Sequence, residues 1–115
     1  MSADILARAA KLLRGQAIGA ESGPWTTSPS KHVPGRYVHV DAPNGPQVCS
    51  AATTAWNNAD YIAMMHPGVA FALADWLDLM AWQHVTFGQN MSDFLLDHSN
   101  RALAVARLIL GEATS

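Results

Sequence analysis

Apolar residues recur every three or four positions at the start of the chain, at Ile5, Leu6, Ala9, Leu12, Leu13 and Ala17, with Arg8, Lys11 and Arg14 pointing elsewhere. That period predicts an amphipathic helix of about four turns, capped by Ser2 and ended near Gly15 or Gly19. The stretch "GAESGPWTTSPSKHVPG" is rich in Gly, Pro and Ser and predicts turns, with Trp25 as its one large apolar plug. In "RYVHV" the side chains alternate, Tyr37 and His39 to one face and Val38 and Val40 to the other. "DAPNG" supplies Asn-Gly turn chemistry and "PQVCSA" can return as the partner strand. A lone hairpin is marginal in water, so it must pack on helices or gain a third strand around Trp25 to Thr27.

Asn57 or Asn58 is the expected cap of a short helix ending at His66, because the residue before Pro67 is pushed out of helical geometry. Pro67 then opens a second helix, where its missing N–H costs nothing. On that helix Val69, Leu73, Trp76, Leu77, Met80 and His84 form one stripe, with Trp76 as the expected core anchor and Asp75 and Asp78 to the side. "FGQN" breaks the chain, Ser92 can cap a last helix, and Gly111 ends it after Leu110. This last helix carries two apolar bands: Phe94, Leu95, Ala102, Val105, Ala106 and Ile109 form one, and Leu96, Leu103 and Leu110 form the other, at heptad spacing. The fold class expected is α+β: about four helices with a small antiparallel hairpin or three-stranded sheet, in a single domain spanning 1–115.

Composition narrows the function. At 50% hydrophobic and 14% charged residues, the 115-residue chain can bury a core but is sparse in solubilising charge. The longest uncharged apolar stretch, Tyr61 to Ala74, is interrupted by His66, Pro67 and Gly68, and falls short of the roughly 20 residues a spanning helix needs. The N-terminus lacks the apolar region and cleavage site of a secretion signal, and Cys49 is the only cysteine, so a cytoplasmic location is expected. The net charge is −2, and residues 41–100 hold six Asp and no Lys or Arg. A duplex-binding surface needs clustered cations, so nucleic acid is not an expected partner, and the acids are too sparse for a DNA mimic.

The pattern "GPW" at Gly23 to Trp25, a short hairpin, and then "NADYIAMMHPGVAFALADWLD" resembles small phage and prophage proteins, found in actinobacteria especially. It is similar to ead-like early-region phage proteins with a "TPGPW … NA-x-x-IA-x-x-x-P" layout, and to actinobacterial families ending in an "-IA-x-x-x-P" helix pair. The matching positions are Gly23, Pro24, Trp25, Asn58, Ala59, Ile62, Ala63, Pro67 and Leu73, with Ser22 where Thr is usual. The resemblance implies an accessory protein working in a bacterial host cytoplasm, and no catalytic residues carry over from it. Capping by Asn58, burial of Ile62 and Met65 and the helix restart at Pro67 account for the same positions structurally.

Candidate chemistry is thin. The histidines His32, His39, His66, His84 and His98 have no His-Glu-x-x-His, His-x-His or His/Cys ligand spacing, so neither metal nor cofactor is expected. His84 in "HVT" matches one element of two-histidine phosphoesterases, with His39 in "HVD" a poor second; the alternative reading is therefore a small hydrolase or phosphodiesterase using His84 with His39 or His66. A plainer role for His84 is to end a helix against free carbonyls. Asp75 with Asp78, and Asp93 with Asp97, read as solvated helix faces, and Cys49 as a small core residue. Four Trp and five Met exceed what one small core covers. The reading that follows is an interaction protein without catalysis, with Trp25, Tyr61, His66 and Trp82 as candidate binding residues. A homodimer is expected on Leu96, Leu103 and Leu110, the alternative being that the first helix, with its Leu6, Leu13 and Ala17 stripe, covers that band within one chain; a host or phage protein is the other expected partner.

Overall fold

The computed structural model describes residues 2–29, 35–51 and 56–112. Among them the chain is α+β. Helix α1 (Ser2–Gly19) leads to strands β1 (Trp25–Pro29), β2 (Arg36–Val40) and β3 (Gln47–Ala51), then to helices α2 (Trp56–Met64), α3 (Pro67–Phe87) and α4 (Asp93–Leu110). A single 3-10 turn, Gly88–Asn90, joins α3 to α4. No described helix is long and apolar enough to cross a membrane. The chain divides into two compact units, Met1–Gly15 with Phe71–Ser115, and Gln16–Ala70.

The first unit is helical. Its core is Leu6, Ala9 and Ala10 of α1, Ala74, Leu77 and Met80 of α3, and Ala102, Leu103 and Ala106 of α4, each set at helical spacing. Most of these are alanines, and larger side chains such as Trp76 and Leu13 lie at the flanks of the cluster. Trp76 is accordingly not the centre of the core: it is half-buried and packs against it from the side, while Leu77 is fully buried. Leu12, expected in the buried stripe of α1, is exposed.

The expected dimer seam on α4 does not stand. Leu103 is a core residue at 6% exposure, in one cluster with Leu6, Ala9 and Ala10 of α1. Leu110 packs against that core from outside and only Leu96 is exposed. The middle of the band is therefore taken up by the core that α4 shares with α1 and α3.

Polar ties brace the same unit. Arg14 donates to Asp75 at 2.6 Å and also to Asp78, so these carboxylates, exposed as expected of a solvated face, also tie α3 to α1. The hydrogen bonds to Asp75 and then to Asp78 raise the guanidinium above its ordinary pKa. Ser92 caps α4 as expected, its Oγ accepting from Leu95 N at 3.2 Å, and Gly111 ends the helix in the left-handed region at φ 71°.

The second unit is a three-stranded antiparallel sheet in the order β1-β2-β3 with α2 on one face. The third strand at Trp25 is the one the marginal hairpin required. Val38 is fully buried beneath Ala59 and Ala63 of α2, with Trp25, Val48, Cys49 and Ile62 around it. In the β2–β3 turn, Asn44 takes the left-handed conformation at φ 57°. Gly45 serves a different need, since a Cβ there would collide with the Val40 carbonyl oxygen. Helix α2 begins at Trp56, so Asn57 and Asn58 lie inside its first turn and neither is its cap; residues 52–55 lie outside the described ones. It ends at Met64, and Pro67 starts α3 as the sequence predicts.

Candidate functional site

A group of exposed apolar residues lies at the α3–α4 end of the first unit. The short Gly88–Asn90 turn sets the last turns of α3 beside the first turn of α4, and both helices leave apolar side chains outside the core there. Trp82, Val85 and Phe87 of α3 and Phe94 and Leu96 of α4 are all exposed, Val85 at 76%. Trp82 meets Phe87 edge-on, ring centroids 5.9 Å apart, and Phe94 meets His98 edge-on at 4.4 Å. Beside them opens a cleft of about 800 Å³ lined by Ser2, Ala3, His84, Val85, Met91 and Leu96 among others. The His84 ring, expected to meet helix-end carbonyls, instead holds the hydroxyl of Ser99, which is fully buried on α4.

Trp25 and His66, two of the candidate binding residues, meet in the second unit. They line a shallow cleft of about 300 Å³ with Pro24, Thr27, Asp60 and Met64. Gly23 makes the meeting possible, because a side chain there would run into Nδ1 of His66. That Nδ1 accepts from Gly68 N at 3.1 Å, which leaves the proton of the neutral ring on Nε2. Trp25 Nε1 donates to the Glu21 carbonyl at 2.9 Å. Beside it the Thr27 hydroxyl donates to Asp60 at 3.0 Å and accepts from Nε and Nη2 of Arg36 at 3.1 and 3.0 Å. The cleft thus has a polar wall whose members hold one another. Tyr61 lies on the same helix as Asp60 but is exposed and does not line the cleft.

The other sheet face carries His39. Its Nδ1 lies 3.0 Å from the Val40 carbonyl oxygen and its Nε2 lies 2.8 Å from Ser28 Oγ, with the Tyr37 ring centred 5.0 Å away. The two histidines proposed to work together with His84, namely His39 and His66, belong to the second unit, whereas His84 belongs to the first. His32 lies outside the described residues. Asp97 pairs with Arg101 at 3.1 Å, and Cys49 is half-buried against the Val38 cluster. Among the described residues no three His, Cys, Asp or Glu side chains gather as a metal site.

Sequence reasoning missed Ser28, Ser99 and the Arg36–Thr27–Asp60 network. Their partners are 15, 11, 9 or 33 residues away in the chain, outside any local spacing motif. No protein-family model, curated protein or solved structure matches the chain.

Proposed function

We propose that the chain is a small phage or prophage accessory protein that acts by protein–protein contact in a bacterial host cytoplasm, in host modulation or counter-defence, and not by turnover. The phage setting rests on the Gly23–Trp25 and Asn58–Pro67 pattern. Contact as the mode of action rests on one observation, the exposed group of Trp82, Val85, Phe87, Phe94 and Leu96 beside an open cleft. Exposed apolar side chains that line an open cleft, here Val85 and Leu96, mark a place where another molecule is bound. The partners proposed are a second copy of the chain and a host or phage protein. Self-association through this end, which includes Leu96, is the form proposed, because Leu103 lies inside the core.

A hydrolase using His84 with His39 or His66 would need the His84 imidazole to reach a substrate. His84 instead holds the hydroxyl of Ser99, which is fully buried on α4, and this favours the contact reading. The test compares the wild-type chain with a Val85→Glu, Phe94→Glu variant, both changes at residues more than two-thirds exposed that should leave the fold intact. A protein recovered from bacterial lysate by the wild type and lost by the variant is the expected result. Equal recovery by both, with sedimentation equilibrium giving 12.3 kDa for both at all concentrations, would refute contact through this end.

A further inference from the structure

The face of the sheet turned away from α2 holds a nucleophile, a base and a group that orients the base. A carbonyl oxygen can only accept, so the 3.0 Å contact to Val40 places the imidazole proton of neutral His39 on Nδ1. Nε2 is then the acceptor, and the Ser28 hydroxyl, 2.8 Å away, is the donor to it. This is the tautomer a general base requires, and the order hydroxyl, imidazole, fixed acceptor is the arrangement by which a serine is activated. Ser28 is directly opposite Tyr37 in the β1–β2 register, one diagonal step from His39, so the pair is built into the ladder and not into a loop. Tyr37 packs on the imidazole ring and limits its rotation. Both Ser28 and His39 are only half-buried, which separates this pair from Ser99 and His84, whose hydroxyl is sealed in the helical core.

We infer that Ser28 is an activated hydroxyl that accepts an acyl group from an activated ester, with His39 as its general base. In that step the bond from Oγ to the acyl carbon forms, and the bond from that carbon to the leaving oxygen breaks. The Ser28 proton passes to Nε2 of His39 and from there to the departing oxygen. The product is one acyl-serine per chain, a covalent modification site separate from the apolar end of the first unit.

The probe is p-nitrophenyl acetate, followed by release of p-nitrophenolate and by peptide mass mapping of the acetyl group. Ser22, exposed and with no imidazole partner, is the control within the same molecule. A positioned general base contributes on the order of 100-fold or more, so Ser28 should acetylate about 100-fold faster than Ser22. Ser28→Ala should remove the label, and His39→Gln should lower labelling at Ser28 to the rate at Ser22. Should His39→Gln fail to fold, the wild type in concentrated urea decides, because unfolding separates the pair and must erase the difference between the two serines. Equal labelling of Ser28 and Ser22 in the native chain overturns the inference. So does a folded His39→Gln variant, or the urea-unfolded wild type, that labels Ser28 as fast as the native protein. Neither result bears on partner capture by the α3–α4 end, which the Val85 and Phe94 changes test independently.

Discussion

Leu103 and Leu108 sit five residues apart on α4, about 140° around the helix at about 100° per residue, and the structure gives them opposite fates. Leu103 is 6% exposed within the three-helix core, and Leu108 is 72% exposed. Truncating Leu103 to Ala removes three carbons from an apolar site, a transfer loss of roughly 2.4 kcal/mol at about 0.8 kcal/mol per carbon. The cavity term adds to it. Five of the residues clustered with Leu103 are Ala9, Ala10, Ala74, Ala102 and Ala106, and alanine has no rotamer with which to close a gap. The total should therefore fall near 3–4 kcal/mol, in the upper part of the range for such truncations. Leu108→Ala should stay within about 0.5 kcal/mol, as an exposed substitution does. Urea unfolding followed by circular dichroism, with equal slopes for parent and variants, measures both. A Leu103→Ala loss below about 1 kcal/mol, equal to that of Leu108→Ala, would refute the core assignment. A loss that grows or shrinks with protein concentration would instead place Leu103 at a subunit contact.

Two further outcomes follow from the polar and glycine contacts. Arg14→Gln should lower the melting temperature at low salt by releasing Asp75 and Asp78, and the gap to the parent should narrow above about 0.1 M salt, where screening reaches about 10 Å; a gap unchanged by salt in thermal melts would show that the clamp is not electrostatic. Gly23→Ala should destabilise by driving a methyl into His66, and adding His66→Ala should recover part of the loss; a double variant no more stable than Gly23→Ala alone in the same melts would place the strain elsewhere.

The positions of the elements were legible because caps, prolines and periodicity are local. Pro67 starts α3, Ser92 and Gly111 bound α4, and the alternation in "RYVHV" is a strand with Val38 inward. What local pattern misjudged was which apolar residues occupy the centre. A periodicity reading weights large side chains, so it favoured Trp76 and Leu12. In the three-helix core five of the nine buried positions go to Ala9, Ala10, Ala74, Ala102 and Ala106, while Trp76 lies at the flank and Leu12 is exposed. The same geometry dissolved the heptad seam. Repeats of Leu96, Leu103 and Leu110 specify a stripe but not its neighbour, and the core shared with α1 and α3 of the same chain takes up the middle of it.

The candidate sites were legible in part, and the difference lies in how far apart their members stand in the sequence. Trp25 and His66 were picked as binding residues one by one, and their meeting depends on a glycine at position 23 that leaves room for an imidazole. Ser28 and His39 meet only if β1 and β2 pair in the register that sets Ser28 against Tyr37. A shift of one residue would turn Ser28 to the α2 face, and the Pro-Gly before β2 signals a turn without fixing the length of the connection or the register. The apolar end of the first unit poses the same problem in another form. Phe94 and Leu96 belong to bands that look continuous with the core residues further along α4. They are set apart from it only because the packed part of the helix, Ser99 to Ala106, begins after them. A binding patch built from the overhanging ends of core stripes has the periodicity of the core itself, so only the packed arrangement of the helices distinguishes the two.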